Sequence, residues 1–321
     1  MIVAWVIGSG GLLGKALGRA LGEYTQPFSP AERFHWNTEA TLKQQLLQAV
    51  RAFAEQASAA AQWHIFWTAG VGTFASSAET MAQETKTLAL LLDAIRNSPV
   101  LCARPGCITL ASSAGAIYAG SKAFVITEDT PAAPTTPYAA EKMRHEAMLT
   151  ALAGELGKLH VFLARISTIY GGGQTSKKSQ GLLTHIARCV IRREPVHIYV
   201  PYDTIRDYIA VADVAQDMVH GALASVGTPG VTMKLIASEH PTTIAEIIGI
   251  FRKIAKRNPR VITSANRLSA LYAKRIQFRS SIHPGGTVPA RTPLLVGIAQ
   301  LLGEEQRMLK LPGAQTGPNN P

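Results

Sequence analysis

Near its start the chain reads Ile2-Val3-Ala4-Trp5-Val6-Ile7-Gly8-Ser9-Gly10-Gly11-Leu12-Leu13-Gly14. An apolar run followed by closely spaced glycines predicts a buried strand that passes through a tight turn into a helix. Glycine permits such a turn and lets backbone N–H groups approach a diphosphate at the start of the helix. Glycine-rich turns also serve packing alone, but between a strand and a helix this spacing favours a dinucleotide site. The residues expected to contact the dinucleotide are Gly8, Ser9, Gly10, Gly11, Leu12, Leu13 and Gly14.

Short apolar runs then alternate with helical ones, which is typical of an α/β fold with a parallel sheet covered by helices on both faces. Further strands are expected at Tyr24–Phe28, Phe34–Trp36, His64–Thr68, Cys107–Ala111, Val161–Ile166 and Lys234–Ile236. Helices are expected at Leu42–Ala60, Ala78–Asn97, Pro137–Ala153, Leu182–Arg192, Val211–Ala224 and Thr243–Lys256. The Gly-, Pro- and Asn-rich residues 312–321 are expected to form a disordered tail.

The composition indicates a globular protein. Of the 321 residues, 47% are hydrophobic and 17% are charged, and three cysteines are too few for a disulfide framework. No cluster of histidines or paired cysteines predicts a metal site, and no apolar run is long enough to predict a membrane span. We therefore expect a cytoplasmic protein that does not contact a membrane.

The formal net charge is +11, with basic residues concentrated between 252 and 279. Such a charge is compatible with nucleic-acid binding, with attraction of a phosphorylated substrate, or with a solvated basic surface. Because no basic motif interleaved with aromatic residues is present, we expect no nucleic-acid partner.

Dinucleotide sites usually carry an acidic residue at the end of the second strand, where it binds the ribose hydroxyls. Here Ser29 occupies that place, and Arg33 lies slightly beyond it. An arginine at this position could bind a 2′-phosphate, or it could be an ordinary surface residue. The cofactor is therefore expected to be NAD or NADP.

Tyr138 and Lys142 lie four residues apart, directly after Thr136-Pro137, which predicts the start of a helix. Residues at this spacing share one helix face. A phenol is a weak base at neutral pH, and a nearby ammonium group lowers its pKa. The pair could therefore exchange a proton with a substrate hydroxyl and hold the nicotinamide ribose, although an exposed Tyr and Lys on an ordinary helix would give the same pattern.

Other expected site residues lie at the carboxyl ends of predicted strands or just after them. In a parallel sheet these ends border the cofactor crevice. Ser113 is expected to orient the reacting oxygen, and Ser112 is the weaker candidate for a substrate contact. Both serines could instead serve only to end the strand. Cofactor contacts are further expected from Ala69, Gly70 and Ile166.

In this order the motifs resemble the extended short-chain dehydrogenase/reductase superfamily, and within it the NAD-dependent epimerase/dehydratase family. The stretches Glu128-Asp129-Thr130-Pro131, 165–174 and 205–215 are similar to family segments. The resemblance implies a Rossmann-like doubly wound sheet formed by residues 1–169 and 206–237. It also implies a smaller C-terminal substrate-binding lobe of residues 170–205 and 238–311, a substrate diphosphate contact for Arg206, and a homodimer.

The chain also departs from the family pattern. Glu84 stands where relatives usually carry Asn, and Ser113 lies five residues before Tyr118, where many relatives keep four. The residues after Ser113 are Ala114 and Gly115, so the acid that dehydratases and decarboxylases carry there is missing. A nucleotide-sugar epimerase is the leading hypothesis, an NADPH-dependent reductase of a carbonyl compound is the second, and a non-catalytic dinucleotide sensor is the third.

Overall fold

The structure is a computed structural model, and it describes residues 1–22, 24–74, 76–172, 181–225, 227–264, 275–282 and 290–310. The strands are β1 (Ile2–Ile7), β2 (Gln26–Phe28), β3 (Gln62–Trp67), β4 (Gly106–Ser113), β5 (Leu159–Ile166), β6 (Thr168–Tyr170), β7 (Val196–Ile198), β8 (Ile205–Ala210), β9 (Gly230–Ile236), β10 (Pro241–Thr243) and β11 (Val261–Thr263). The helices are α1 (Leu12–Leu21), α2 (Glu39–Ser58), α3 (Ala78–Arg96), α4 (Pro99–Ala103), α5 (Ala114–Ile117), α6 (Pro137–Glu155), α7 (Leu182–Arg192), α8 (Val211–Ala224), α9 (Ile244–Ala255) and α10 (Leu294–Lys310).

The central sheet has six strands in the order β2-β1-β3-β4-β5-β9, and all its strand pairs are parallel. Ile7 pairs with Trp67, and Trp67 pairs with Leu110, so these three strands reach the same edge at their carboxyl ends. The strands that follow β1 in the chain lie on opposite sides of it, and such a reversal opens a crevice at that edge. The predicted α/β fold with a doubly wound parallel sheet is confirmed.

Helices cover both faces of this sheet. On one face, α2, α3, α4 and α6 pack over a core that contains the buried rings of Trp5, Phe53 and Trp63. On the other face, α1 and α8 pack over a second core with Phe66 and Phe162. Burial on both faces explains why the strands read as continuous apolar runs in the sequence.

A smaller unit is formed by the later elements. The strands β10, β8 and β6 make a three-stranded sheet, and β7 pairs with β11. Together with α7, α9 and α10 they enclose a third core, which contains Ile186, Phe251 and Ile298. The chain also returns to the central sheet, where β9 pairs with β5. The residue boundaries assigned to the two lobes stay a prediction, and the expected tail 312–321 lies outside the described residues.

The strand predicted at Phe34–Trp36 is wrong, because these residues form a connection between β2 and α2. The Phe34 ring instead packs against Trp5, with the ring centroids 6.3 Å apart. The apolar residues that suggested a strand therefore cover the edge of the core.

The described residues contain no group of three or more His, Cys, Asp or Glu side chains placed to hold a metal ion. Among the helices of those residues, none combines the length and the apolar character needed to cross a bilayer.

Candidate active site

The turn after β1 requires glycine at two positions. Gly8 has a φ of +96°, and a side chain there would come within 2.6 Å of the backbone nitrogen of Ala69. A side chain at Gly14 would lie 2.2 Å from the carbonyl oxygen of Gly8. The turn is closed by the Gly11 N–H, which donates to the same carbonyl at 3.0 Å. Bare backbone therefore lines the crevice at this point.

The start of α1 is suited to an anion. Gly11 caps the helix without a side-chain hydrogen bond, and the first turn contains no acidic residue. A side chain added at Gly10 would meet nothing within 4 Å, so the space beside the turn is open. Because the first N–H groups of a helix lack partners within it and carry partial positive charge, they can bind a diphosphate. The residues present thus fit the dinucleotide expected from the sequence.

The second strand provides no acid for a ribose. β2 is only three residues long, and the exposed Ser29 follows it directly. Glu32 is the nearest carboxylate after the strand, and it accepts a hydrogen bond from Gln45 of α2 at 3.3 Å. Arg33 is exposed in the same connection.

The segment after β3 lies against the glycine turn. The Thr68 backbone N–H and hydroxyl both donate to the Ile7 carbonyl oxygen at 2.9 Å. This anchors Ala69 and Gly70 beside Gly8, at the edge where they were expected to meet the cofactor.

Tyr138 and Lys142 lie at the beginning of α6. The helix is capped by the Thr136 hydroxyl, which accepts from the Ala139 N–H at 3.2 Å, and Pro137 occupies its first position. The Lys142 Nζ lies 5.6 Å from the centre of the Tyr138 ring. Lys142 is buried with 6% of its surface exposed, whereas Tyr138 is half-buried. Neither the hydroxyl nor the amine has a hydrogen-bond partner among the described residues.

Two residues of the loop after β3 contact the Tyr138 ring. The ring centroids of Phe74 and Tyr138 are 6.2 Å apart. A methyl group added at Gly72 would lie 3.2 Å from Tyr138 Cδ2, so this glycine lets the phenol ring approach the loop closely. Since the same loop begins beside Gly8, it connects the glycine turn to the phenol. The sequence interpretation missed Gly72 and Phe74, because only the fold brings them to the helix.

The two serines at the end of β4 point to opposite faces, because side chains alternate along a strand. The buried Ser112 hydroxyl donates to Glu146 Oε1 of α6 at 2.6 Å, which commits it to the interior. We therefore do not retain Ser112 as a substrate contact. Ser113 is half-buried at the carboxyl edge and pairs with Ile166 of β5, the further residue expected at the cofactor.

Glu146 also forms a buried ion pair that fixes α6 to the sheet. Arg165 Nη2 donates to Glu146 Oε2 at 2.6 Å, and the two side chains are 12% and 8% exposed. Arg165 further donates to the hydroxyl of Tyr118. Glu146 lies one helical turn beyond Lys142, so this pair holds the helix that carries the amine.

A second buried contact joins α6 to α3. The Thr85 hydroxyl lies 2.8 Å from His145 Nε2 and donates to Glu141 Oε2 at 2.5 Å. Burial, together with the charges of Lys142 and Arg144, lowers the pKa of His145 to about 3. The imidazole is therefore neutral at physiological pH and bonds the two helices without adding charge beside the amine.

Arg206 lies in the smaller unit, on β8. One of its Nη atoms donates to the Ile205 carbonyl oxygen at 2.8 Å. The next residue, Asp207, accepts hydrogen bonds from Ser167 Oγ at 2.6 Å and from Ser238 N and Oγ at 2.9 Å each. Burial raises the pKa of Asp207. These bonds tie β8 to the carboxyl ends of β5 and β9, on the same side of the molecule as the crevice.

A family model described as "NAD dependent epimerase/dehydratase family" matches residues 4–230, which is more than half of the chain. The chain is 33% identical over 113 residues to dTDP-4-dehydro-6-deoxyglucose reductase of Escherichia coli, a match that covers 35% of each protein. It is 28% identical over 109 residues to "Putative UDP-glucose 4-epimerase" of Methanocaldococcus jannaschii, covering 34% of this chain and 35% of that protein. The chain thus spans about a third of the length of these curated relatives.

Solved structures share the fold over nearly the full length. The structure described as MoeE5 in complex with UDP-glucose and NAD superposes with a TM-score of 0.77 at 21% sequence identity. The match covers 97% of this chain and 100% of that chain, so it includes both the central sheet and the smaller unit.

Proposed function

Because the chain belongs to the NAD-dependent epimerase/dehydratase family, we propose that this enzyme is a nucleotide-sugar epimerase that oxidises its substrate transiently with bound NAD or NADP. The observation that carries the proposal is the placement of Tyr138 and Lys142. They lie one helical turn apart on α6, and the Tyr138 ring rests on the loop that begins beside the glycine turn. The loop therefore joins the glycine turn, whose residues would hold the dinucleotide, to the phenol.

The first half-reaction needs a base and a hydride acceptor at one carbon. Tyr138 is the base that takes the proton from a sugar hydroxyl while the hydrogen on the same carbon leaves as hydride. A nicotinamide held at this edge would supply a reversible acceptor for that hydride. The Lys142 ammonium group stabilises the negative charge on the phenol oxygen, and its burial strengthens this interaction.

For epimerisation the keto-sugar would have to turn within the pocket so that the hydride returns to its other face, and Tyr138 would return the proton to the oxygen. No proton or electron is gained or lost over the cycle, so the cofactor is regenerated at every turnover. The smaller unit is the proposed sugar–nucleotide lobe, with Arg206 as the diphosphate contact. Ser113 keeps its proposed role in orienting the reacting oxygen, supported by its place at the carboxyl edge.

Substitution of the phenol tests the proposal. Tyr138→Phe keeps the ring on the loop but removes the group that moves the proton, so kcat for interconversion of UDP- or GDP-sugars should fall by at least about 100-fold. The control is Tyr24→Phe, an exposed tyrosine between α1 and β2. Unchanged epimerisation in Tyr138→Phe would contradict the mechanism.

A reductase is the second candidate. The absence of a ribose-binding acid after β2, with Arg33 in the same exposed connection, favours a cofactor that carries a 2′-phosphate. One of the curated relatives is also described as a reductase of a nucleotide-linked sugar. Stoichiometric loss of NADPH absorbance with a keto-sugar would favour the reductase, whereas turnover without net consumption of cofactor would favour the epimerase.

We also propose a homodimer formed through α3 and α6. The two helices pack side by side, and α6 carries small exposed residues at Ala140, Ala147 and Ala151, which allow close approach of a second copy. Light scattering should give twice the chain mass of 34.3 kDa. A mass of one chain would contradict the dimer.

A further inference from the structure

Ser113 and Tyr138 lie on different elements, although the proposed reaction needs them at one substrate oxygen. Ser113 ends β4 and caps α5, whereas Tyr138 and Lys142 lie on α6. No described residue forms a hydrogen bond with the Ser113 hydroxyl, so its own side chain does not hold it in place. Its position is therefore set by the residues on either side of it in the chain.

On the amino-terminal side, Ser112 ties the end of β4 to α6. Ser112 is 5% exposed, and its hydroxyl donates to Glu146 Oε1 at 2.6 Å. Ser112 also pairs in register with Arg165 of the neighbouring strand β5. Because Glu146 lies on the helix that carries the phenol and the amine, this bond joins the residue before Ser113 directly to that helix.

On the carboxyl-terminal side, Tyr118 closes the short turn that begins at Ser113. Its backbone N–H donates to the Ala114 carbonyl oxygen at 3.1 Å, and its hydroxyl accepts from Arg165 Nη1. The Tyr118 ring is fully buried and packs edge-on against Phe278, with the ring centroids 6.4 Å apart. Burial raises the pKa of Tyr118, so its hydroxyl stays neutral and serves as an acceptor. Arg165 therefore holds the far end of the turn.

Both connections lead to one carboxylate. Arg165 Nε donates to Glu146 Oε1 at 3.0 Å, and Arg165 Nη2 donates to Oε2 at 2.6 Å. Because the guanidinium group is planar, binding it at two nitrogens fixes the direction of the third, which is the one that meets Tyr118. A buried network whose members are hydrogen-bonded is rigid. Glu146 thus holds Ser113 from both sides, through Ser112 and through Tyr118.

We propose that Tyr118 and Arg165 are positioning residues that set the place of the Ser113 hydroxyl relative to the phenol. Neither contacts the reacting oxygen in this proposal, because their polar atoms bond to each other and to Glu146 in the interior. The inference rests on the proposed function, since it requires Ser113 and Tyr138 to act on one oxygen. A small displacement of the serine is enough to slow such a reaction.

A double-mutant cycle tests the proposal. Tyr118→Phe keeps the packed ring and removes the acceptor, so kcat for UDP- or GDP-sugars should fall about five- to tenfold, with KM and the dissociation constant for NAD⁺ within about twofold of wild type. Ser113→Ala should lower kcat at least about tenfold. The double variant should stay within about twofold of Ser113→Ala, because no hydroxyl is left to misplace. A general loosening of α6 would instead slow the Ser113→Ala enzyme as much as wild type.

Tyr170→Phe is the matched control. Tyr170 is 3% exposed, and its hydroxyl has no hydrogen-bond partner among the described residues, so its removal should leave kcat unchanged. Wild-type kcat in Tyr118→Phe, or single effects that multiply in the double variant, would overturn the inference. If Tyr138→Phe is slow in the same assay, the proposed function survives that result.

Other outcomes are also decisive. Unchanged turnover in Ser113→Ala would remove the proposed role of that serine and the inference with it. No turnover of any of these sugars by wild type would overturn the proposed function and the inference together. If Tyr118→Phe does not fold, Ser112→Ala takes its place in the cycle, because it cuts the other connection to Glu146. Effects of Ser112→Ala and Ser113→Ala that multiply would then overturn the inference.

Discussion

Removal of one charge from the buried ion pair on α6 should destabilise the enzyme far more than removal of one from an exposed pair on the same helix. Arg165–Glu146 and Arg96–Glu155 both have an N–O distance of 2.6 Å. The side chains of the first pair are 12% and 8% exposed, and those of the second are 41% and 47% exposed. Because distance and helix are shared, the main difference between the two pairs is their burial.

The expected magnitude follows from what Glu146 does. Its carboxylate accepts from Arg165 Nε at 3.0 Å and from Nη2 at 2.6 Å, and it also accepts from the Ser112 hydroxyl at 2.6 Å. Glu146→Gln leaves the guanidinium buried without a counter-charge, which costs about 3–5 kcal/mol. Glu155→Gln removes a charge that water already solvates, so no measurable change is expected.

The assay is urea unfolding followed by tryptophan fluorescence at pH 7, with wild type and both variants measured in the same buffer. We expect a lower free energy of unfolding for Glu146→Gln alone. We also expect lower catalytic activity in Glu146→Gln, because Lys142 lies one turn away on the helix that this ion pair holds against the sheet. Equal losses in the two variants, or no loss in Glu146→Gln, would show that burial does not decide the strength of this pair.

Other consequences can be tested separately. Burial, and then the neighbouring His160, lowers the pKa of His64 from 6.5 to about 4, so the unfolded chain binds a proton between these values that the folded chain does not. The contribution of His64 to stability is therefore fully present above pH 6.5 and falls by on the order of 3 kcal/mol as the pH drops to 4, and His64→Leu should make that part of a stability–pH curve less steep, leaving the slope that the buried His145 contributes. Gly14→Ala should weaken dinucleotide binding at least about tenfold in a calorimetric titration, because its methyl group would collide with the turn, whereas Gly18→Ala meets nothing within 4 Å and should bind normally. Ser113→Ala should lower kcat without changing the unfolding midpoint, whereas Ser112→Ala should lower the midpoint; the reverse result would reassign the two serines.

The sequence was sufficient for the parts of the fold that local patterns determine. The strand–turn–helix at Ile2–Leu21 follows from apolar periodicity and glycine, and the start of α6 follows from Thr136-Pro137. The order of strands was less accessible. β9 pairs with β5 although β6, α7, β7, β8 and α8 lie between them in the chain, and no local signal predicts a pairing across that distance.

In the candidate site, too, some features follow from local sequence and others only from the packing. Tyr138 and Lys142 were predictable because spacing along a helix fixes which residues share a face. The two serines were not distinguishable, because the phase of alternation in β4 is known only once Ser112 is seen to contact Glu146. Glu84 was noticed only as a departure from relatives. Its contacts with Val71 and Gly72 depend on the packing of α3 against the loop, which the sequence does not reveal.

A crystal structure of the enzyme with NAD⁺ or NADPH would show whether the glycine turn and Tyr138 act on one dinucleotide. We expect the diphosphate on the Gly8–Gly14 turn and the nicotinamide ring beside the Tyr138 hydroxyl, with the Lys142 amine at the attached ribose. A dinucleotide bound elsewhere, or a nicotinamide that lies out of reach of the Tyr138 oxygen, would contradict it.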